Sequence, residues 1–207
     1  MNNSITMEDY LGLINENLDD VKYVVEVGSM DGNDSMFFKN KYPNAEVFAI
    51  EGLPDNYEKY LVNKNKINTF CIVISDYCGT TDYYVKDING IHGIFDRGTS
   101  YGSGKIELEC KTLDVFCGEN NIPQIDVLKI DVEGATLNVL MGMINILPNV
   151  KMMHIETEDY PFFKGQTLHE DVEKFLIGND FRLLEITKAE ITKNCFQYDS
   201  VWINNKT

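Results

Sequence analysis

No stretch of the sequence is long and apolar enough to suggest a membrane span. The apolar runs fall well short of the roughly 18 residues that a span requires. The opening Met1-Asn2-Asn3-Ser4 has neither the basic region nor the apolar core of a signal peptide. Repeats, low-complexity tracts and linkers are also absent. We therefore expect a cytoplasmic protein without a membrane span.

Basic residues are scarce, and the cysteines lack CxxC spacing. Lysine and arginine number 18 against 33 aspartates and glutamates, which gives a net charge of -15. This charge argues against unaided binding to nucleic acid or to an anionic membrane, and it is compatible with a cationic or neutral acceptor. The five cysteines, an odd number, indicate reduced thiols.

The composition is that of a globular domain. At 207 residues, with 43% hydrophobic and 25% charged residues, the chain is long enough for one full hydrophobic core. We expect a single domain over residues 1–207, as a monomer or homodimer. A helix that begins at Thr6 is expected to cover one end of the sheet, as part of a helical segment over residues 1–20.

Apolar strand-like runs alternate with helical patterns through most of the chain. This alternation predicts an α/β fold, a Rossmann-like doubly wound and mostly parallel sheet. The last two runs have no helix between them, which predicts an antiparallel last strand. The predicted strands cover residues 22–27, 47–51, 67–74, 125–130, 150–155, 181–186 and 196–203, and the later helices 33–42, 54–62, 134–144 and 167–178, the last with a Thr167/Glu170 capping box.

Residues 75–111 break the alternation after strand three. Two exposed strands, 81–85 and 105–110, flank a segment with five glycines in fifteen positions, 90–104. Loops of that length are usually functional or disordered. Its aromatic, histidine and arginine content favours function, so we expect an insertion near the acceptor site, with His92, Arg97 and Tyr101 as candidate contacts.

The first two strands carry the pattern of a nucleoside-binding Rossmann half. Strand one ends in Glu26-x-Gly28-x-x-x-Gly32, whose glycines predict a tight turn into a helix. Strand two ends at Glu51, close to the position where such folds place an acid that binds ribose hydroxyls.

The charge at this turn selects the ligand. Glu26 closes the strand and Asp31 lies in the turn, where the pyrophosphate of a dinucleotide would bind. Each close carboxylate–phosphate pair would cost roughly 4 kcal/mol at an effective dielectric near 20. A ligand with a ribose, no phosphate and two cationic groups reverses the sign, and S-adenosylmethionine is such a ligand.

Two motifs together resemble the FkbM-like family of class I S-adenosylmethionine-dependent methyltransferases. The first is Glu26-x-Gly28-x-x-x-Gly32, and the second, Leu128-Lys129-Ile130-Asp131-Val132-Glu133-Gly134-Ala135, is similar to the family's K-I-D-V-E-G-A. The resemblance covers about residues 21–203. The chain departs from the family at Thr136, where Glu is usual, and at Ser29-Met30, where Ala-Asn is common.

We predict the cofactor contacts as follows. Gly28 and Gly32 let the backbone approach the methionine part, Glu26 takes its ammonium and Ser35 its carboxylate. Glu51 accepts the ribose hydroxyls. The complete set is Glu26, Gly28, Ser29, Met30, Gly32, Ser35, Glu51, Gly52, Leu53, Ser75 and Asp76, the last two at the adenine edge or in a plain β-turn.

The predicted catalytic residues lie at the carboxyl ends of strands four and five: Asp131, Glu133, His154 and Glu156. One of them would bind the acceptor or take its proton. There are two alternatives: Glu133 caps the next helix, or all four residues form a hard-metal site. We predict no metal. Lys129 is interpreted as a surface charge or as a salt-bridge partner of these acids.

The sequence thus predicts a methyltransferase, and the family resemblance implies that it methylates a hydroxyl of a sugar, glycan or small metabolite. Two alternatives stay open. One is an NAD(P)-dependent Rossmann oxidoreductase, which shares strand one and Glu51 but would need G-x-G-x-x-G spacing that is missing here. The other is a non-catalytic nucleoside-binding protein with the same fold.

Overall fold

The computed structural model describes residues 4–88, 90–98, 102, 104–162 and 164–207. The strands are β1 (Tyr23–Val27), β2 (Glu46–Glu51), β3 (Asn68–Cys71), β4 (Val73–Ile74), β5 (Gly79–Val85), β6 (Gly104–Lys111), β7 (Ile125–Ile130), β8 (Val150–Glu158), β9 (Phe181–Thr192) and β10 (Cys195–Asn204). The helices are α1 (Met7–Asn17), α2 (Asn33–Lys41), α3 (Pro54–Asn56), which continues as a π-helix over Tyr57–Leu61, α4 (Leu113–Glu119), α5 (Thr136–Met141) and α6 (His169–Gly178). None of these described helices is long and apolar enough to cross a bilayer.

The main sheet has seven strands in the order β3-β2-β1-β7-β8-β10-β9. Neighbours pair in parallel from β3 to β8, and β10 runs antiparallel to both β8 and β9. The predicted α/β class and antiparallel last strand are therefore confirmed. The strand order reverses between β1 and β7, and in open α/β sheets ligands bind beyond the carboxyl ends of the strands at such a reversal.

The central strands are apolar because helices cover both faces of the sheet. On one face Val24, Val127 and Met152 pack with Tyr10 of α1 and Phe38 of α2. On the other face lie the apolar residues of α4, α5 and α6. α1, which was expected to cover one end of the sheet, packs its buried Tyr10 and Ile14 against the strands on the first of these faces.

Several predicted boundaries were wrong for local reasons. The third predicted strand is interrupted at Ile72, whose N–H donates to the carbonyl of Glu51, and its end joins a different sheet as β4. α5 is shorter than predicted and leaves Met141 and Ile144 exposed. α6 has no Thr167 capping box, since Leu168 is its N-cap and no side chain caps it. α4, which begins after the capping residue Thr112, was not predicted.

The segment after β3 forms a second sheet in the order β4-β6-β5. The two predicted exposed strands are confirmed as the antiparallel pair of β5 and β6. The loop between them is held by Lys86, whose side chain is only 1% exposed. Its Nζ lies 3.0 Å from Oδ1 of Asp96, 2.8 Å from the carbonyl of Gly98 and 3.2 Å from that of Gly102.

Candidate active site

A cavity of about 320 Å³ opens at the carboxyl ends of β1, β2 and β7. The glycine turn after β1 forms one wall, the end of β2 a second, and the end of β7 a third. The insertion closes the cavity with residues 90 and 92–94, and Tyr83 of β5 lines it as well. The predicted strand-end residues on the wall are Gly28, Met30, Glu51, Gly52, Asp131, Glu133 and Glu156.

Glu51 is fixed at this wall by the backbone on either side of it. The N–H of Met30 donates to its Oε2 and the N–H of Leu53 donates to its Oε1, both at 2.8 Å. The residue is 5% exposed, and burial raises the pKa of Glu51 although these hydrogen bonds lower it. The side chain of Asn56 hydrogen-bonds the same carboxylate. Of its roughly four acceptor positions one therefore stays open for a ligand hydroxyl, and a vicinal diol gains the second by displacing Asn56.

The β1 carboxylate, Glu26, lies behind the cavity rather than on its wall. Its Oε2 accepts hydrogen bonds from the N–H of Ser35, at 3.0 Å, and from the Ser35 hydroxyl. Both residues are fully or almost fully buried. Burial raises the pKa of Glu26 to about 7, although Lys129 and Ser35 act in the opposite direction. In this structure Glu26 and Ser35 connect β1 to α2, and a ligand ammonium would reach Glu26 only through a bridging group such as water.

Packing against other protein atoms requires both glycines of the turn. The predicted reason was a close approach of the backbone to the methionine part of the cofactor. A Cβ on Gly28, with φ of +87°, would lie 1.8 Å from the carbonyl oxygen of Asp131. A Cβ on Gly32 would lie 2.4 Å from Cδ2 of Leu61. Both glycines therefore allow the turn to approach neighbouring protein atoms. Ser29, between them, is buried, and its hydroxyl oxygen has no hydrogen-bond partner among the described residues.

Asp31 does not face the cavity either. Its carboxylate accepts hydrogen bonds from the N–H of Asn33, at 3.0 Å, and from the Asn33 side chain, at 2.7 Å. Ser75 and Asp76 were predicted at the adenine edge or in a plain β-turn. Asp76 Oδ1 accepts from the Ser75 hydroxyl and from Asn138 of α5, each at 3.0 Å, and contact with adenine stays a prediction. Ile72, Val73 and Ile74, which precede them, line the cavity wall.

Three predicted acids converge at the other end of the cavity. Asp131, Glu133 and Glu156 bring carboxylate oxygens within 4.8 Å of one another. Burial and then Asp131 raise the pKa of Glu133 to about 8, while Arg97, with Nη1 3.5 Å from Glu133 Oε2, lowers it. Burial and the charges of Asp131 and Glu133 also hold the pKa of Glu156 well above its usual value.

His154, the fourth predicted catalytic residue, does not line the cavity that these three acids line. It is 5% exposed and packs edge-on against Tyr10, with ring centroids 5.2 Å apart. Its Nε2 lies 3.5 Å from Oδ1 of Asp199. In the sheet His154 pairs with Lys129, one layer below the strand ends.

Lys129 is a buried salt-bridge partner of the acids, as one of its two interpretations proposed. Its Nζ lies 3.0 Å from Asp34, 3.2 Å from Asp131 and 3.8 Å from Glu26. Burial lowers the pKa of Lys129, but the three carboxylates outweigh burial and raise it overall. Lys129 therefore stays charged and compensates part of the negative charge beneath the cavity.

Two loops meet above the acids. The N–H of Lys164 donates to the carbonyl of Asp96 at 3.0 Å, which joins the insertion to the loop after β8. The Arg97 guanidinium lies 5.6 Å from the centre of the Phe162 ring. Tyr101, the third predicted contact of the insertion, lies outside the described residues.

Among the polar side chains that line the cavity, sequence reasoning missed those of Tyr83, Asn56 and Gln197. Tyr83 belongs to a strand predicted as exposed but is only 8% exposed, and the alternation of Thr81, Tyr83 and Val85 on one face was its available signal. The side-chain amide of Gln197 donates to Oε2 of Glu156. No local sequence pattern marked Gln197, because its position beside Glu156 depends on the pairing of β10 with β8 in the sheet.

The fold and the cavity together define a class. The sheet order, the single antiparallel strand and the ligand cavity at the strand reversal are those of class I Rossmann-like methyltransferases. The chain belongs to the FkbM methyltransferase family, because the model of the methyltransferase FkbM domain matches residues 26–183.

Named relatives agree with this assignment, and a solved structure resembles the fold. The chain is 25% identical over 160 residues to the 2-O-methyltransferase NoeI of Sinorhizobium fredii, covering 69% of this chain and 66% of NoeI. It is 27% identical over 157 residues to the hexuronic acid methyltransferase AglP of Haloferax volcanii, covering 72% of this chain and 61% of AglP. It thus spans less than two thirds of either relative. Its fold resembles magnesium protoporphyrin IX methyltransferase of Synechocystis with bound S-adenosylmethionine, at a TM-score of 0.50, 11% identity and coverage of 96% and 77%.

Proposed function

We propose that this protein is an S-adenosylmethionine-dependent methyltransferase that transfers the methyl group to a hydroxyl. The observation that carries the proposal is the pairing, in one cavity, of a diol-binding carboxylate with an excess of acids. Glu51 is oriented at one end by two backbone N–H groups. Asp131, Glu133 and Glu156 converge at the other end. Family membership supports the choice of a methyltransferase over a nicotinamide-dependent oxidoreductase.

The residues present fit S-adenosylmethionine. Glu51 would accept its ribose hydroxyls, with Gly52 and Leu53 beside the adenine. Gly28, Ser29, Met30 and Gly32 would follow the methionine part, and Glu26 and Ser35 would act from behind the wall. When bound, the cofactor supplies an electrophilic methyl group on a cationic sulfur. The acid excess favours that cation over the anionic pyrophosphate of a dinucleotide.

The acid cluster would also serve the acceptor. A hydroxyl that forms a bond to carbon must release its proton, and a carboxylate held beside it can accept that proton. Asp131, Glu133 and Glu156 line the cavity and are the groups we propose for this role. His154 is less suited because it lies below the strand ends, where it packs against Tyr10 and lies 3.5 Å from Asp199.

The acceptor class follows from the relatives and from charge. The names of NoeI and AglP describe a 2-O-methyltransferase and a hexuronic acid methyltransferase, which supports a sugar, a glycan or a related small hydroxyl compound as the acceptor. Arg97, paired with Glu133, is a cation next to the acid cluster that could meet an acidic acceptor. A non-catalytic nucleoside-binding protein remains the competing proposal, and turnover separates the two.

Calorimetric titration with S-adenosylhomocysteine tests the proposal. We expect the wild-type protein to bind it with micromolar affinity and Glu51→Gln to bind at least tenfold more weakly, because the amide nitrogen replaces one acceptor oxygen. Glu58→Gln, an exposed glutamate of the adjoining π-helix, is the matched control and should bind like the wild type. Binding of NAD in place of S-adenosylhomocysteine would contradict the proposal. Binding without methyl transfer to any sugar or metabolite pool would favour the non-catalytic alternative.

A further inference from the structure

His92 of the insertion carries a buried hydrogen-bond donor that no described residue uses. The residue is 8% exposed and lines the cavity. Its Nδ1 accepts the backbone N–H of Lys86 at 3.0 Å, so the proton of the neutral ring lies on Nε2. Nε2 is buried and has no hydrogen-bond partner in the described part of the chain. A buried donor without a partner is unfavourable, and a ligand acceptor would satisfy it.

The position of the ring is fixed by the backbone around it. Gly93, the next residue, pairs with Tyr84 through two hydrogen bonds of 2.8 and 3.3 Å. The side chain of Lys86 holds the far part of the same loop through Asp96 and Gly98. The ring therefore cannot turn freely toward solvent, and its Nδ1 bond selects one tautomer and one orientation.

The surroundings of His92 indicate which part of the cavity it serves. Burial lowers the pKa of His92, so the ring is neutral at physiological pH and its Nε2–H needs an acceptor atom. The charged group that acts on this pKa is Asp55 of α3. Asp55 lies two residues beyond Leu53, next to the segment proposed to run beside the adenine. Geometry supports this placement toward the nucleoside end, because Tyr84, which pairs with Gly93, follows Tyr83, whose ring lies 3.1 Å from the position of a Cβ on Gly52, next to Glu51, the carboxylate proposed for the ribose.

We propose that His92 is a cofactor-binding residue whose Nε2–H donates a hydrogen bond to a ring nitrogen of the cofactor's adenine. This inference rests on the proposed function. It differs from the sequence-based expectation that His92 contacts the acceptor, and it gives the insertion a role in cofactor recognition. Lys86 acts through its backbone as a positioning residue for the ring.

The test combines one variant with modified ligands. His92→Asn keeps an acceptor near the position of Nδ1 for the Lys86 N–H and removes the Nε2–H. We expect about tenfold weaker binding of S-adenosylhomocysteine by calorimetry. Analogues in which one adenine ring nitrogen is replaced by CH are then titrated. One analogue should bind the wild type about tenfold more weakly and should show no such loss with His92→Asn. His169→Asn, a half-buried histidine of α6 away from the cavity, should bind like the wild type.

The outcomes separate this inference from the proposed function. If the wild type binds S-adenosylhomocysteine and His92→Asn binds it equally well, the inference is wrong and the proposed function stands. Equal binding of all the analogues to the wild type, which needs no variant to fold, also overturns it. If the wild type does not bind S-adenosylhomocysteine, the proposed function fails and the inference fails with it.

Discussion

The carbonyl oxygen of Asp131 lies 1.8 Å from the position that a β-carbon on Gly28 would occupy. This contact joins the turn after β1 to the end of β7, the two strands between which the strand order reverses. The distance between the glycine turn and the acid cluster is therefore set by the absence of one side chain. No residue other than glycine satisfies both this approach and a φ of +87°.

Gly28→Ala is expected to destabilise the protein by more than about 2 kcal/mol, because the methyl group overlaps backbone and the positive φ adds strain. Urea unfolding followed by circular dichroism measures this change. Gly12→Ala is the control, since Gly12 lies inside α1 with no atom within 4 Å of an added Cβ, and it should stabilise by roughly 0.5–1 kcal/mol. Equal effects of the two substitutions would contradict the packing explanation.

Lys86 is expected to stabilise the insertion. Lys86→Met removes a buried ammonium that bonds Asp96 and two backbone carbonyls. We expect a loss of roughly 2 kcal/mol in the free energy of unfolding, below the value for a fully buried pair because the side chain of Asp96 is 46% exposed. Trypsin should also cleave after Arg97 faster than in the wild type.

The exposed pair of Lys105 and Asp82 supplies the control for Lys86. Its atoms are 2.9 Å apart and both side chains are about half exposed. Lys105→Met should cost less than about 1 kcal/mol and leave the cleavage rate at Arg97 unchanged. If Lys86→Met were equally mild in both measurements, the loop would not depend on this lysine.

Stability is expected to fall as the pH rises from about 6.5 to 8.5. Burial raises the pKa of Glu26 and Glu158 to about 7 and that of Glu133 to about 8. In this window the folded chain binds more protons than the unfolded chain, so deprotonation favours unfolding. His92 and His169 have lowered pKa values and act in the opposite direction only at lower pH. Urea unfolding at several pH values measures the slope.

Glu133→Gln should make that slope shallower and should raise stability at the alkaline end. Glu107→Gln, on the exposed face of β6, should leave the slope unchanged. If the free energy of unfolding of the wild type rose steadily through the window, burial would not be raising the pKa of these acids.

The same titration should alter ligand preference. Deprotonation of Glu133 adds negative charge to the cavity, which favours cationic S-adenosylmethionine over neutral S-adenosylhomocysteine. The ratio of their dissociation constants should shift severalfold toward S-adenosylmethionine as the pH passes through about 8. Calorimetry with both ligands measures the ratio, and Glu133→Gln should remove the shift. A ratio independent of pH in the wild type would exclude Glu133 from the sulfonium environment.

Structural features that depend on residues close together in the sequence were predicted well. Apolar runs marked β1, β2 and β7 because these strands are buried on both faces, and Glu51 and Asp131 follow directly from the strand ends. Features that depend on distant contacts were not predictable. The break at Ile72 arises because Val73 and Ile74 pair with β6, nearly 40 residues away, and Tyr83 is buried only because its strand closes the cavity.

The side-chain direction of the predicted site residues was the other limit. Glu26 and His154 lie at the right strands but point to the helix side, where Ser35, Lys129 and Tyr10 enclose them. Alternation along a strand separates the two faces of a sheet, yet it does not say which of the two helix-covered faces a given side chain joins. Lys129 shows the same limit, because only the structure distinguishes its buried salt bridges from a surface position.

The most direct measurement of the central claim is a crystal structure of the protein grown with S-adenosylhomocysteine and NAD both in excess. We predict S-adenosylhomocysteine in the cavity, with its ribose hydroxyls on Glu51, its sulfur toward Asp131, Glu133 and Glu156, and an adenine nitrogen on His92. A pyrophosphate bound at the turn of Gly28, with no S-adenosylhomocysteine in the density, would contradict it.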